Sequence, residues 1–184
     1  ICAGLAVLTP EQRRNGVALI DLGGGTTNYL AYGNGMISAL GCVAVGGDHI
    51  TNDIALAFTI PVNRAEELKR AEGCALIEPE SGSRRITLPA EIGFEERVLS
   101  CKALHTVIHA RMDETFRIVR SKLDEVGVLP HLGAGVILTG GGAYLRKATD
   151  LAQRVFGLPC RVGLPVNVGG LDNVPQAAAL STAA

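Results

Sequence analysis

Three observations predict an α/β fold. Two glycine turns, Gly23-Gly24-Gly25 and Gly140-Gly141-Gly142, each follow an apolar run of the length of a buried strand. After the first turn the pattern alternates and bends at Gly33-Asn34-Gly35, as an antiparallel meander does. After the second the chain reads as a helix and then a strand, a β-turn-α-β order.

Taken in order, residues 1–8 read as the cut end of a helix with no initiator Met, so a piece of a longer protein is expected. Residues 16–21 are β-branched and apolar, 29–32 form a second strand, and 36–45 complete the meander. Ile50, Ile54, Ala57 and Phe58 recur at helical spacing, and Pro61 ends that helix. Asn63 with Glu66 three residues on reads as a capping box opening a helix that stops near Gly73. Ser81-Gly82-Ser83 marks a loop before a strand beginning at Arg85. The longest helix is expected over 101–126, with Leu104, Val107, Ile108, Met112, Phe116, Val119 and Leu123 on one stripe and Gly127 as its stop. A strand at 135–139, a helix at 144–156, a strand at 160–163 and a small-residue helix at 175–184 complete the order.

With 184 residues, 47% hydrophobic and 19% charged, the chain can bury one sizeable core or two small lobes. A net charge of -1 without a basic cluster excludes nucleic acid as a partner. No apolar run reaches the roughly 18 residues that a spanning helix needs, and no basic leader opens the chain. Cys2, Cys42, Cys74, Cys101 and Cys160 are odd in number and widely spaced, so they read as reduced core thiols of a cytoplasmic protein.

Chemistry concentrates at the glycines, where bare amides let an anion approach a strand end closely. Asp21 ends its strand at the mouth of the first turn, where a magnesium ion bridging phosphates would find a carboxylate. Asn28 stands where a dinucleotide fingerprint has its third glycine, and the stretch that should be a helix alternates like a strand. No Gly-Lys-Ser/Thr follows either, which excludes a Walker loop. Gly140 to Ala143, between a strand and a helix, could press backbone against a nucleoside or its α-phosphate. Glu66 and Lys69, three apart, either face a ribose and adenine edge or serve as a cap and its ion-pair partner. His105, His109 and Asp113 share a helical face, but Thr106 replaces the Glu of a zincin helix, so they read as a half-exposed polar stripe. Arg111 with Glu114 reads as a surface ion pair.

Longer strings narrow the reading. They are Ala18-Leu19-Ile20-Asp21-Leu22-Gly23-Gly24-Gly25-Thr26-Thr27, Val45-Gly46-Gly47-Asp48-His49-Ile50-Thr51-Asn52-Asp53-Ile54-Ala55, Ala65-Glu66-Glu67-Leu68-Lys69 with Gly73-Cys74-Ala75, and Gly163-Leu164-Pro165-Val166-Asn167-Val168-Gly169-Gly170-Leu171. Together they resemble the FtsA family of bacterial cell-division proteins, within the actin, Hsp70 and sugar-kinase superfamily. The resemblance implies an actin-like (ribonuclease H-like) ATPase lobe made of subdomain 2A at 1–60 and 133–184 and subdomain 2B at 61–132, with 1A and 1C outside this chain. It implies ATP and Mg2+ as cofactors, with Asp21 acting on the metal through water and Gly24 to Thr27 holding the β- and γ-phosphates. Gly23 and Gly47 belong to the same motifs, Glu66 and Lys69 would flank the nucleoside, and Gly140, Gly141, Gly142 and Ala143 would bracket the adenosine. No catalytic residue is assigned, and hydrolysis by this piece alone is not expected.

As partners the resemblance implies the C-terminal tail of FtsZ, gripped through Arg111, and further copies in a filament. The expected location is the inner face of the cell membrane at the division site, reached through a C-terminal helix outside this chain. Asn28 departs from the acidic residue usual after the threonines, and Pro175-Gln176-Ala177 stands where an aromatic is frequent. The alternatives are a pilus-assembly scaffold like PilM and a superfamily kinase or chaperone ATPase.

Overall fold

A computed structural model of the chain describes residues 2–90 and 95–164. The helix expected at 175–184, Pro175-Gln176-Ala177 and the motif residues from Pro165 onward lie outside the described residues. Two short helices open the chain, α1 (Cys2–Val7) and α2 (Pro10–Asn15). The second was not anticipated, although its signal is present: Thr9 and Gln12 form a capping box, and Pro10 takes the first helical position, where its missing amide costs nothing.

Strands β1 (Val17–Leu22), β2 (Thr27–Gly33) and β3 (Met36–Val43) make the predicted antiparallel meander. Helices α3 (Gly47–Phe58) and α4 (Val62–Glu72) follow. Here the expected capping box fails. The residue preceding α4 is Pro61, whose fixed φ of -58° sets the turn, and no side chain caps the helix, so Asn63 already lies inside it and Glu66 is left for other partners.

Strand β4 (Arg85–Leu88) pairs with β5 (Arg97–Ser100), which sequence reading missed because Arg97-Val98-Leu99-Ser100 is too short to show a period. Ser100 then caps α5 (Cys101–Glu125) by accepting from the amide of Ala103. Finally β6 (Val136–Thr139), α6 (Ala148–Phe156) and β7 (Cys160–Val162) close the described part. The helix expected from Tyr144 starts later. Gly141–Tyr144 is a short 3-10 turn, and Lys147 in the left-handed region, φ 61°, separates it from α6.

One five-stranded sheet runs in the order β3-β2-β1-β6-β7, antiparallel on the meander side and parallel from β1 to β7. Its middle strand, β1, is buried along its whole length, which explains its unbroken run of apolar residues up to Asp21. Against one face pack α5 and α6, and the predicted stripe of α5 is there: Leu104, Ile108, Met112, Phe116, Val119 and Leu123 are buried, Val107 partly so. Phe116 meets Phe156 of α6 edge to face, with ring centroids 6.0 Å apart. The other face carries a smaller cluster in which Val7 and Leu8 meet Leu19, Leu30 and Ile137. Among the described residues no helix is long and apolar enough to cross a membrane.

Phe116 has no exposed surface and holds α5 to α6, so Phe116→Ala is expected to lower the unfolding free energy by about 3–5 kcal/mol. A urea melt with unchanged slope would report this, and a loss below about 1 kcal/mol would contradict the packing.

Candidate functional site

Because β1 and β6 are parallel neighbours, with Asp21 opposite Thr139, the two glycine turns leave the sheet side by side at the same edge. In the first turn the amide of Gly23 donates to the carbonyl of Thr26 at 3.0 Å, whereas the amides of Gly24, Gly25 and Thr26 donate to no backbone carbonyl among the described residues. All three residues are exposed. Consecutive unpaired amides of this kind are what an anion requires.

The carbonyls of the same turn point the other way. Those of Gly23 and Gly24 accept from the amides of Gly47 and Asp48, at 2.9 and 2.8 Å, and so satisfy the first turn of α3, which lacks a side-chain cap. A Cβ on Gly46 would collide with both carbonyls, so this junction admits only glycine. Thr27 is buried, and its hydroxyl donates to the carbonyl of Val45 at 2.7 Å, anchoring the loop from below.

In the second turn Gly140 adopts φ +81°, and the carboxylate of Asp21 lies where its side chain would be. Asp21 is thus buried against the neighbouring turn. Gly142 sits tightly on Leu22, and Gly141 has open space where a Cβ would project. The expectation of a helix N-terminus at this turn is corrected: the amides that follow belong to the 3-10 turn, and α6 begins only at Ala148.

From the opposite side α4 contributes Glu66, Lys69 and Arg70. Lys69 donates to the carbonyl of Gly47 at 2.9 Å, to Thr51 Oγ1 at 2.8 Å and to Glu66 Oε2 at 2.6 Å, which uses all three of its protons. Thr51 Oγ1 lies 2.5 Å from Glu66 Oε2, and Arg70 Nε donates to Glu66 Oε1 at 2.7 Å. Burial pushes the Glu66 carboxyl up, but the bonds from Lys69, Thr51 and Arg70 outweigh it and bring it down to about 2.

Between these elements lies a cleft of about 510 Å³, within the range of small-ligand sites. Of the predicted residues, Gly23, Gly24, Gly47, Glu66, Lys69, Gly141 and Gly142 line it. Asp21, Gly25, Thr26, Thr27, Gly140 and Ala143 are not on its wall. Asp48, Arg70, Tyr144 and Arg146 line it without having been singled out. Asp48 had a readable signal, an acidic residue directly after Gly46-Gly47, but Arg146 had none, because its place depends on a backbone bridge with Cys74.

The donor set fits a magnesium ion held through water. The Asp48 carboxylate oxygens stand 3.2 and 3.4 Å from where a Cβ of Gly24 would be, on the cleft side, and Asp48 forms no ion pair among the described residues. Elsewhere Cys74, Glu78 and His105 bring ligand atoms within 4.8 Å of one another, but Arg146 already supplies positive charge there, bonding Glu78 at 2.6 Å. Of the expected half-exposed stripe, His109 and Asp113 are partly exposed and only His105 is corrected. His105 is buried and donates from Nε2 to the carbonyl of Glu72 at 3.0 Å, and His109 donates from Nδ1 to the carbonyl of Ala75 at 2.8 Å. Asp113 pairs instead with Arg117.

Arg111 lies on α5, away from the cleft wall. It meets Glu114 as expected, at 2.6 Å, and also grips Asp53 of α3 through Nε at 2.6 Å and Nη2 at 2.9 Å. The bonds from Asp53 raise its already high basicity further.

Residues 18–183 match the family model described as cell division protein FtsA. The cell division protein FtsA of Pseudomonas aeruginosa is 36% identical over 182 residues, an overlap of 99% of this chain and 44% of that protein. Its namesake in Escherichia coli K12 is 37% identical over 194 residues, covering all of this chain and 46% of that protein. The chain therefore spans somewhat under half the length of the curated relatives it matches. Among solved structures, MreB5 of Spiroplasma citri bound to ADP superposes with a TM-score of 0.74 at 20% identity, over 99% of this chain and 55% of that one. The PilM-PilN type IV pilus biogenesis complex gives 0.66 at 18%, over 95% of this chain and 45% of that one. Likeness at such identity shows the fold alone, which is the predicted actin-like α/β fold.

The Glu66 network ties stability to pH. Its carboxyl is depressed from 4.5 to about 2 in the folded state, so its contribution is complete above about 4.5 and is lost as pH falls towards about 2. Urea midpoints of the parent and Glu66→Gln should therefore differ at neutral pH and converge across that window. A difference that stays constant through it would exclude an ionised Glu66 in the network.

Proposed function

The chain belongs to the FtsA family of cell-division proteins, and from that premise we propose that it forms the half of an actin-like scaffold that holds ATP with Mg2+ against a second half. The observation that carries the reading is the single cleft into which both glycine turns and α4 converge. The unpaired amides of Gly24 on the wall, and of Gly25 and Thr26 next to it in the exposed turn, take the terminal phosphates, and Gly141 and Gly142 form the wall beside the nucleoside. Glu66, as a carboxylate at neutral pH, accepts from sugar hydroxyls, while Lys69 holds it in place. When bound, the magnesium ion would neutralise the phosphate charge, with Asp48 on the cleft wall as the carboxylate that would hold it through water, whereas Asp21, expected in this role, lies buried behind the wall. In this reading residues 1–60 and 133–184 constitute subdomain 2A and 61–132 subdomain 2B.

The scaffold self-associates into filaments and tethers FtsZ at the inner face of the membrane, which it reaches through a helix outside this chain. Arg111 is the residue that receives the FtsZ tail. Its bidentate grip on Asp53 supports this, because the same guanidinium geometry suits a carboxylate of an incoming peptide.

Gly141 permits a clean test, since a Cβ there has no protein atom within 4 Å and the residue lies on the cleft wall. In the intact protein carrying this chain, Gly141→Val should stay within about 1 kcal/mol of parental stability. It should weaken ATP binding in the presence of magnesium roughly tenfold or more, read by calorimetric titration. Parental affinity in the variant would refute the placement of nucleotide here.

For the partner, Arg111→Glu should weaken binding of an FtsZ tail peptide by about fivefold, the scale of a partly exposed charge pair. Asp53→Asn, which removes the charge held on the Nε and Nη2 edge of the guanidinium and leaves its bond to Glu114, should strengthen it. Fluorescence anisotropy with the labelled peptide separates these outcomes, and unchanged affinity in both variants removes Arg111 from the contact.

A further inference from the structure

We infer that Thr51 is a positioning residue whose hydroxyl fixes Glu66 and Lys69 in the cleft and thereby sets how the cleft discriminates the sugar of a nucleotide. This rests on the nucleotide reading of the cleft and adds to it a residue that does not line the wall.

Thr51 is almost wholly buried on the second turn of α3. Its hydroxyl oxygen is the point at which three groups meet. It lies 2.5 Å from Glu66 Oε2, accepts from Lys69 Nζ at 2.8 Å and stands 3.1 Å from the carbonyl of Gly47. A hydroxyl has one proton to give and lone pairs to receive. The short distance to a charged acceptor assigns that proton to Glu66, and the ammonium of Lys69 fills the acceptor side. Thr51 thus orients the carboxylate and the ammonium at once. A methyl in its place would leave Lys69 one acceptor short and Glu66 one donor short.

The same contacts link the two ends of the cleft. The carbonyl of Gly47, held by Lys69, belongs to the first turn of α3, whose amides are bound by the carbonyls of Gly23 and Gly24. The wall that would meet phosphate and the α4 side chains that would meet the sugar are therefore one hydrogen-bonded unit, with Thr51 at its centre. Being β-branched, Thr51 has few rotamers open to it in a helix, so its hydroxyl is held in direction as well as in place.

The test uses the intact protein carrying this chain, with ATP and 2′-deoxy-ATP titrated in magnesium buffer against the parent, Thr51→Val and Thr51→Ser. The parent should prefer ATP over its deoxy analogue by about tenfold, the scale of a hydrogen bond to a charged group. Thr51→Val should lose most of that preference while melting cooperatively, and Thr51→Ser, which keeps the hydroxyl and drops the methyl, should retain it. A merely structural role would alter the melt and leave the ratio unchanged. Parental discrimination in folded Thr51→Val therefore overturns the inference, as does lost discrimination in Thr51→Ser, which also serves if the valine variant does not fold. A parent that binds ATP without discriminating the two sugars overturns the inference alone. A parent that binds neither nucleotide overturns the nucleotide reading, and the inference falls with it.

Discussion

The parallel pairing of β1 with β6 is the constraint on which the cleft depends. It sets Leu19 beside Ile137 and Asp21 beside Thr139, so that two turns more than a hundred residues apart leave the sheet at one edge. The contact between the turns is then as close as glycine allows, with the carboxylate of Asp21 occupying the space that a side chain on Gly140 would need. Were the strands antiparallel, the second turn would lie at the far end of the sheet. The rest of the site is built outward from this edge.

The first layer outward is α3, whose first two amides are satisfied by backbone carbonyls, while His49 Nδ1 accepts from the amide of Gly46 that precedes it. A glycine turn whose amides face the cleft and whose carbonyls cap a helix serves two purposes with one loop, and it explains why Gly46 tolerates no Cβ. The second layer is α4, fastened to α3 through Thr51 and Lys69. The charges here are paired and hydrogen-bonded, so the wall stays ordered despite carrying an ammonium and a carboxylate that are only partly exposed. A third tie, Arg111 to Asp53, joins α3 to the long helix α5 away from the cleft. Helix α3 is accordingly bonded both to the cleft wall and to α5.

Much of the architecture was legible because it obeys simple periods. The stripe of α5 from Leu104 to Leu123 and the alternation around Gly33-Asn34-Gly35 each match one regular element. Reading failed where the period was too short or the local signal ambiguous. Four residues of β5 show no alternation by themselves, and their strand exists because β4 offers an edge. Asn63 and Glu66 have the spacing of a capping box, but the helix is entered from Pro61, two residues before Asn63, and Glu66 turns to Thr51, Lys69 and Arg70. The histidines read as a half-exposed stripe, yet His105 is buried, because helical spacing does not reveal which face a neighbouring segment covers. The end of α4 and the segment after it cover that face, with the carbonyls of Glu72 and Ala75 as acceptors.

What the amino-acid order determined by itself was local: where the longer strands and helices lie, where backbone must bend without a side chain, and a string of motifs specific enough to point to one family. These follow from steric limits on single residues and from hydrophobic periods, which need no knowledge of distant neighbours. Only the tertiary structure decided that Asp48, Arg70, Tyr144 and Arg146 reach the cleft while Asp21 and Thr27 are buried behind it. It alone also gave Arg111 its partner on α3. Those facts depend on which elements meet, and that is set by burying the apolar stripes of α5 and the sheet together, a constraint spread over the whole chain and written in no single segment.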